Sequence, residues 1–172
     1  FTFYRGGAAV MAWDLSNTPT GRLRVQCCGD EHLSNFGVFA APDRRVVFDL
    51  NDFDETLPAP FEWDVKRLAA SIVVAARTAG LSRNDCTGAA RSCVESYRTK
   101  MRGYAGMGYL DIWYARMDVA SLEAVMAVSD RARRRLGKAS EKARARTSLG
   151  SLARFAEKDD GTYRIQDAPP LV

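Results

Sequence analysis

Apolar residues recur at helical spacing over residues 61–79, where Trp63, Val65, Leu68, Ala69, Ile72, Val73 and Ala76 repeat every three or four positions. Glu62 and Asp64 fall in the first turn, where the helix dipole favours acids, and Gly80 closes the element. A second helix is predicted over 82–103, with Ala89, Ala90, Cys93, Tyr97 and Met101 inward. Val10, Met11, Trp13 and Leu15 predict an N-terminal helix over 1–15, weakened near its start by Gly6 and Gly7. Further helical segments are expected over 109–117, 119–129 and 131–146. Residues 22–28 alternate polar and apolar, as a strand does. The apolar run 36–40 and the β-branched run 45–50 flank a Pro42-Asp43-Arg44-Arg45 turn and read as a small antiparallel pair. Pro58 and Pro60 are expected to end the β region, and 161–166 to form one short strand. The class is α+β: a small β-hairpin unit carrying the chemistry, then packed helices.

Composition narrows this picture. A chain of 172 residues that is 47% hydrophobic supports one core, so a single domain over 1–172 is expected. No apolar run approaches the roughly 18 residues of a membrane span, and no signal peptide is visible. Cys27, Cys28, Cys86 and Cys93 have neither zinc nor disulfide-framework spacing, which points to a reducing, cytoplasmic setting. One histidine excludes a zinc site built from several. The net charge of +4 comes with a basic run over 131–146 that lacks interleaved aromatics. Bases need rings to stack on, so nucleic acid is not the expected partner, and the run reads as a solvated helix face.

Chemistry concentrates in residues 29–55. Asp30, Asp49, Asp52 and Asp54 crowd around Asn35 and His32 in or beside two loops. Acids held this close repel one another unless a cation neutralises them. Phosphoryl transfer uses a carboxylate to take the proton of the attacking hydroxyl, with an amide oxygen and a second carboxylate on magnesium. Asp30 and Asn35 lie five residues apart, and the strand pair that follows delivers Asp52. Asp30 is therefore the candidate base and Asn35 with Asp52 the candidate metal ligands, Asp49 and Asp54 being alternatives to Asp52. His32 is expected to brace the loop by hydrogen bonding, and Asp54 to support the metal from outside its ligand set. Asp64 is expected either to accept loop N–H groups or to serve as a helix N-terminal acid. Arg67 is read as pairing with a local acid, and Arg5 as either a phosphate ligand or a salt-bridge partner.

The stretch Gly29-Asp30-Glu31-His32-Leu33-Ser34-Asn35 resembles the H-G-D-x-H-x-x-N loop of aminoglycoside phosphotransferases and choline kinases, with Cys28 where those enzymes place the first His. Asp52-Phe53-Asp54 resembles their metal-binding segment, and Asp64, twelve residues on, matches the acid that opens their next helix. That spacing selects Asp52 over Asp49 and Asp54. The wider sequence is more similar still to the bacterial domain of unknown function family 2252. Phe3-Tyr4-Arg5-Gly6, Cys28-Gly29-Asp30, Asn35-Phe36-Gly37, Asn51-Asp52-Phe53-Asp54-Glu55-Thr56 and Trp63-Asp64-Val65-Lys66-Arg67-Leu68-Ala69 carry this likeness. It implies part of a protein-kinase-like C-lobe, with Mg2+ and ATP as cofactors and a small-molecule or protein hydroxyl as acceptor. It also implies an N-terminal fragment, since the family is longer and its nucleotide-gripping lobe lies beyond this region. The opening Phe1 and the Pro169-Pro170 tail agree with that expectation. The alternatives are a degenerate kinase-like domain that binds a nucleotide or partner without catalysis, a metal-dependent phosphoesterase using the same acids, and a nucleic-acid-binding module.

Overall fold

The computed structural model describes residues 1–125, 130–146, 150, 152 and 155–166. It is α+β, and its chain divides into two compact units, one of Phe1–Gly37 with Leu50–Ala115, the other of Val38–Asp49 with Arg116–Val172.

The first unit opens with α1 (Thr2–Arg5) and α2 (Ala8–Ser16). The single helix expected over 1–15 is thus two. Gly6 and Gly7 depart from helical angles, at φ −87°, ψ 7° and φ −104°, ψ 28°, and each glycine costs a continuous helix about 1 kcal/mol. Strand β1 (Arg24–Cys27) follows. Its partner is a segment in which no strand is expected, β4 (Leu57–Pro60), with Arg24 opposite Pro60 and Cys27 opposite Leu57. Register resolves the apparent conflict with Pro58 and Pro60. Phe61 N–H donates to Leu23 O at 3.4 Å, so the odd-numbered residues 57, 59 and 61 face β1 and the two prolines, which have no N–H, fall on the opposite phase. Ala59 and Cys27 are each 1% exposed at this pairing.

Helix α3 (Glu62–Thr78) packs against α4 (Arg83–Ala105). Ser82 caps α4, accepting from Asp85 N–H at 3.2 Å, and Cys86 anchors it at 2% exposure. Met101, expected inward, is 48% exposed on its last turns. The two most buried side chains of α3 are polar, Arg67 and Ser71. Helix α5 (Tyr109–Tyr114) follows.

In the second unit lies most of the hairpin of β2 (Phe36–Ala40) and β3 (Val46–Leu50), whose base belongs to the first unit. Val46 and Val47 are its buried pair. Phe48 N–H donates to Met117 O at 2.9 Å, and Arg116 reaches Asp43 at 2.8 Å. Helices α6 (Val119–Val125) and α7 (Asp130–Ala145) continue the unit. Leu136, Ser140 and Ala143 form the buried edge of α7, and its Arg and Lys residues face outward as the sequence predicts. The expected strand over 161–166 is β6 (Thr162–Ile165), paired with β5 (Ala156–Asp159) across Asp160 and Gly161, both at positive φ. Residues 126–129 of the expected helix over 119–129, and the tail 167–172, lie outside the described residues. No described helix is long and apolar enough to cross a membrane.

Candidate functional site

The loop between β1 and β2 is held by a polar stripe on α3. Asp64 accepts from Cys28 N–H through Oδ2 at 2.7 Å and from Gly29 N–H through Oδ1 at 3.1 Å. Ser71 Oγ accepts from Leu33 N–H at 3.2 Å while donating to Leu68 O at 2.7 Å. Between them Arg67 reaches Asp30. Residues 64, 67 and 71 are three and four apart, so one helix face carries all three anchors. The expectation that Asp64 takes loop N–H groups, and that Arg67 pairs with an acid, matches this geometry.

Asp30 has a partner on each oxygen. Its Oδ1 accepts from Arg67 Nε at 2.8 Å and also from Arg67 Nη2. Its Oδ2 lies 3.3 Å from His32 Nε2. His32 Nδ1 accepts from Ser34 N–H at 3.1 Å, so the proton of a neutral ring sits on Nε2 and points at Asp30. His32 is 5% exposed and braces the loop as expected. Tyr4 completes the grip on Arg67. Its ring lies under the guanidinium at 4.8 Å, its hydroxyl donates to Arg67 O at 2.7 Å, and its carbonyl accepts from Nη2 at 3.2 Å. Burial pushes the Tyr4 hydroxyl above its ordinary pKa, which keeps that donor protonated.

Asn35 ties two strands of backbone together. Its Nδ2 donates to Asp30 O at 3.2 Å and to Asp52 O at 3.1 Å, and its own carbonyl accepts from Asn51 N–H at 2.9 Å. With the amide nitrogen used on backbone, Oδ1 is the atom Asn35 can offer a ligand. Cys28 adds to the tie: its Sγ lies 3.6 Å from Asp52 O, and burial pushes the thiol up to about 11. Two glycines permit this closeness. Gly29 sits at φ +86°, and a Cβ there would collide with the Glu55 carbonyl. At Gly37 a Cβ would collide with the Asn51 side chain.

Asp30, His32, Asn35 and Asp52 all line one open cavity of about 380 Å³, together with Thr2, Arg5, Gly6, Ser34 and Asn51. Asp49 lies in β3 and Asp54 in the exposed loop, and neither lines the cavity. Of the three competing acids, Asp52 is the one brought to the same space as Asp30 and Asn35. Asp54 instead shares a hydrogen bond with Glu55, which lowers its own pKa and raises that of Glu55 to about 7. Glu31, half-buried beside the loop, is also pushed to about 7, first by burial and then by the Asp64 charge.

Among the described residues no group of three or more His, Cys, Asp or Glu side chains is placed to hold a metal. An amide oxygen and one carboxylate nevertheless suit magnesium, which prefers oxygen donors and takes one or two protein ligands beside phosphates and water. The donor chemistry of Asn35 and Asp52 therefore fits that ion.

Sequence reasoning missed Tyr4, Ser71 and Asn51. Ser71 carries a signal, since it continues the 64, 67, 71 helical spacing. Asn51 opens a stretch that carries the family likeness, but nothing in the sequence gives it a role of its own. Tyr4 meets Arg67 across a separation of 63 residues that no local pattern encodes.

No curated protein and no solved structure matches the chain significantly. One family model does match, over residues 1–172, and its description reads "Uncharacterized protein conserved in bacteria (DUF2252)". The chain belongs to the DUF2252 family.

Proposed function

We propose that this chain carries the catalytic centre of a kinase-like phosphotransferase, corresponding to part of a kinase C-lobe, that moves the γ-phosphate of ATP to a hydroxyl acceptor. The observation that carries the reading is the shared cavity of Asp30, Asn35 and Asp52. An acceptor hydroxyl entering there would donate its hydrogen bond to the Asp30 carboxylate. As its oxygen forms the new bond to phosphorus, the bond from phosphorus to the ADP oxygen breaks and the hydroxyl proton passes to Asp30. Arg67 and His32 hold the carboxylate in place for that transfer. Asn35 Oδ1 and Asp52 would hold Mg2+, which neutralises phosphate charge when bound. Arg5 lines the same cavity and offers a guanidinium to a phosphate oxygen. The reading requires a nucleotide-gripping lobe, which the resemblance assigns to a later part of the family's chain.

A second reading is favoured by one observation. Both Asp30 oxygens already have partners, Arg67 and His32, as in a site that binds a nucleotide or partner without transferring phosphate. One experiment separates the two. The full-length protein is incubated with γ-labelled ATP and Mg2+, and label transfer or release is followed for the parent, Asp30→Ala and Asp52→Ala. Phosphotransfer predicts turnover in the parent and a loss of at least about 100-fold in both variants. Nucleotide binding in a thermal-shift assay without turnover selects the second reading. Turnover unchanged in both variants ends the first.

A further inference from the structure

Beneath the proposed base, two buried hydrogen-bond donors have no partner among the described residues: Trp63 Nε1 and Arg67 Nη1. Buried N–H groups are nearly always paired, with protein or with ordered water. These two donors come from one place in the fold. Trp63 and Arg67 are four apart on α3, and both line a small, largely closed cavity with Asp64, Leu15, Cys27 and Leu57. Arg67 as a whole is 2% exposed, so bulk solvent does not reach its guanidinium. Space in the cavity for water-sized spheres is about 10 Å³, close to the lower limit for a single water.

We infer that this cavity is a binding site for one buried water molecule. Trp63 Nε1 and Arg67 Nη1 donate to its oxygen, and one of its own hydrogens is donated to the Asp64 carboxylate. Asp64 decides between water and a small anion. An anion could accept from both donors, but it would lie against a carboxylate. Each Asp64 oxygen accepts one loop N–H, at 2.7 Å and 3.1 Å, and a carboxylate has lone pairs to accept more. Water, both donor and acceptor, meets all three groups.

The site fixes the one corner of the Arg67 guanidinium that protein groups leave untied. Nε and Nη2 are directed to Asp30, Nη2 also to Tyr4 O, and Nη1 to the water. Trp63 is thereby a positioning residue for Asp30, acting through the water and Arg67. This inference stands whether or not the site transfers phosphate.

The test uses the full-length protein in two arms. A crystal structure near atomic resolution is expected to show an ordered water within hydrogen-bond distance of Trp63 Nε1 and Arg67 Nη1. A cavity without density overturns the inference. So does an anomalous peak there after a bromide soak, which would mark an anion site. In the second arm, exchange of the Arg67 Nε–H signal is followed by NMR in the parent and in Trp63→Phe, which keeps one aromatic ring but removes the donor. Exchange at least about ten-fold faster in the variant is expected, and equal rates overturn the positioning role. The crystallographic arm needs only the parent protein, so it decides the site even if the variant folds poorly.

Discussion

Both Nε and Nη2 of Arg67 donate to Oδ1 of Asp30, and the side chains of this pair are only 2% and 13% exposed. A charge buried this deeply is tolerable because its counter-charge is buried with it. Removing one partner strands the other, at a cost of about 3–5 kcal/mol. Arg67→Ala is expected to lower the unfolding free energy, measured by urea titration, by that amount. Arg67→Lys should recover only part of it, because an ammonium lacks the two-pronged contact with Asp30 and the flat stacking on Tyr4. A loss below about 1 kcal/mol in Arg67→Ala would contradict the burial of the pair.

Asp64 provides the acceptors for two adjacent backbone donors. Asp64→Ala leaves Cys28 and Gly29 N–H unpaired, and each such donor costs about 1–3 kcal/mol. Amide hydrogen exchange at residues 28 and 29 should rise well beyond the global change. Asp64→Asn keeps one acceptor oxygen and should fall between the two. Equal protection of both amides in Asp64→Ala and the parent would refute this account of the loop.

Glycine substitutions separate required from incidental positions. Gly29→Ala meets both the positive φ and the Glu55 carbonyl, so a loss above about 3 kcal/mol is expected. Gly88→Ala, inside α4 with open space around the new methyl, should stabilise by about 0.5–1 kcal/mol. Thermal unfolding of both variants checks this, and similar behaviour of the two would count against the backbone geometry at Gly29.

Glu31 makes stability fall as pH rises. Its pKa is raised from the ordinary 4.5 to about 7 by burial and by Asp64, so the fold favours its protonated form. Below 4.5 both the folded and unfolded chains hold the proton and the group has no effect. Between 4.5 and about 7 the unfolded chain releases the proton first, and the loss is complete above that window. Glu31→Gln should remove a slope worth about 1–3 kcal/mol and leave the variant more stable than its parent at about pH 8. Glu55, also raised to about 7, has the same sign but is present in both proteins, so it cancels in the comparison. Identical pH slopes in denaturant titrations would rule the effect out.

Helix α3 was legible in the sequence because its apolar period is long and its first turn is acidic. Asp64 was legible as a first-turn acid that also matches the resembled family, and Arg67 as a cation in reach of local acids. The cavity-lining trio followed from the five-residue spacing of Asp30 and Asn35 together with the kinase-loop resemblance, which picked Asp52 from three nearby acids. Strand β4 was not legible. Proline is a reliable breaker only when its missing N–H is needed, and the register that makes it needless here is a property of the partner strand. Strand β5 was hidden by its polar composition, Ala-Glu-Lys-Asp, which carries no alternation. Tyr4 belongs to a third class, in which a contact exists only after distant segments have folded together.

The alternation of Pro58 and Pro60 also matters for what this protein avoids. The outer border of β4 presents no backbone donor at either residue, and its Pro58 and Pro60 carbonyls already accept from Arg24 and Cys27, so an incoming extended chain would find little to pair with. Strand-by-strand polymerisation through that border is opposed by covalent chemistry, since a ring nitrogen has no hydrogen to give.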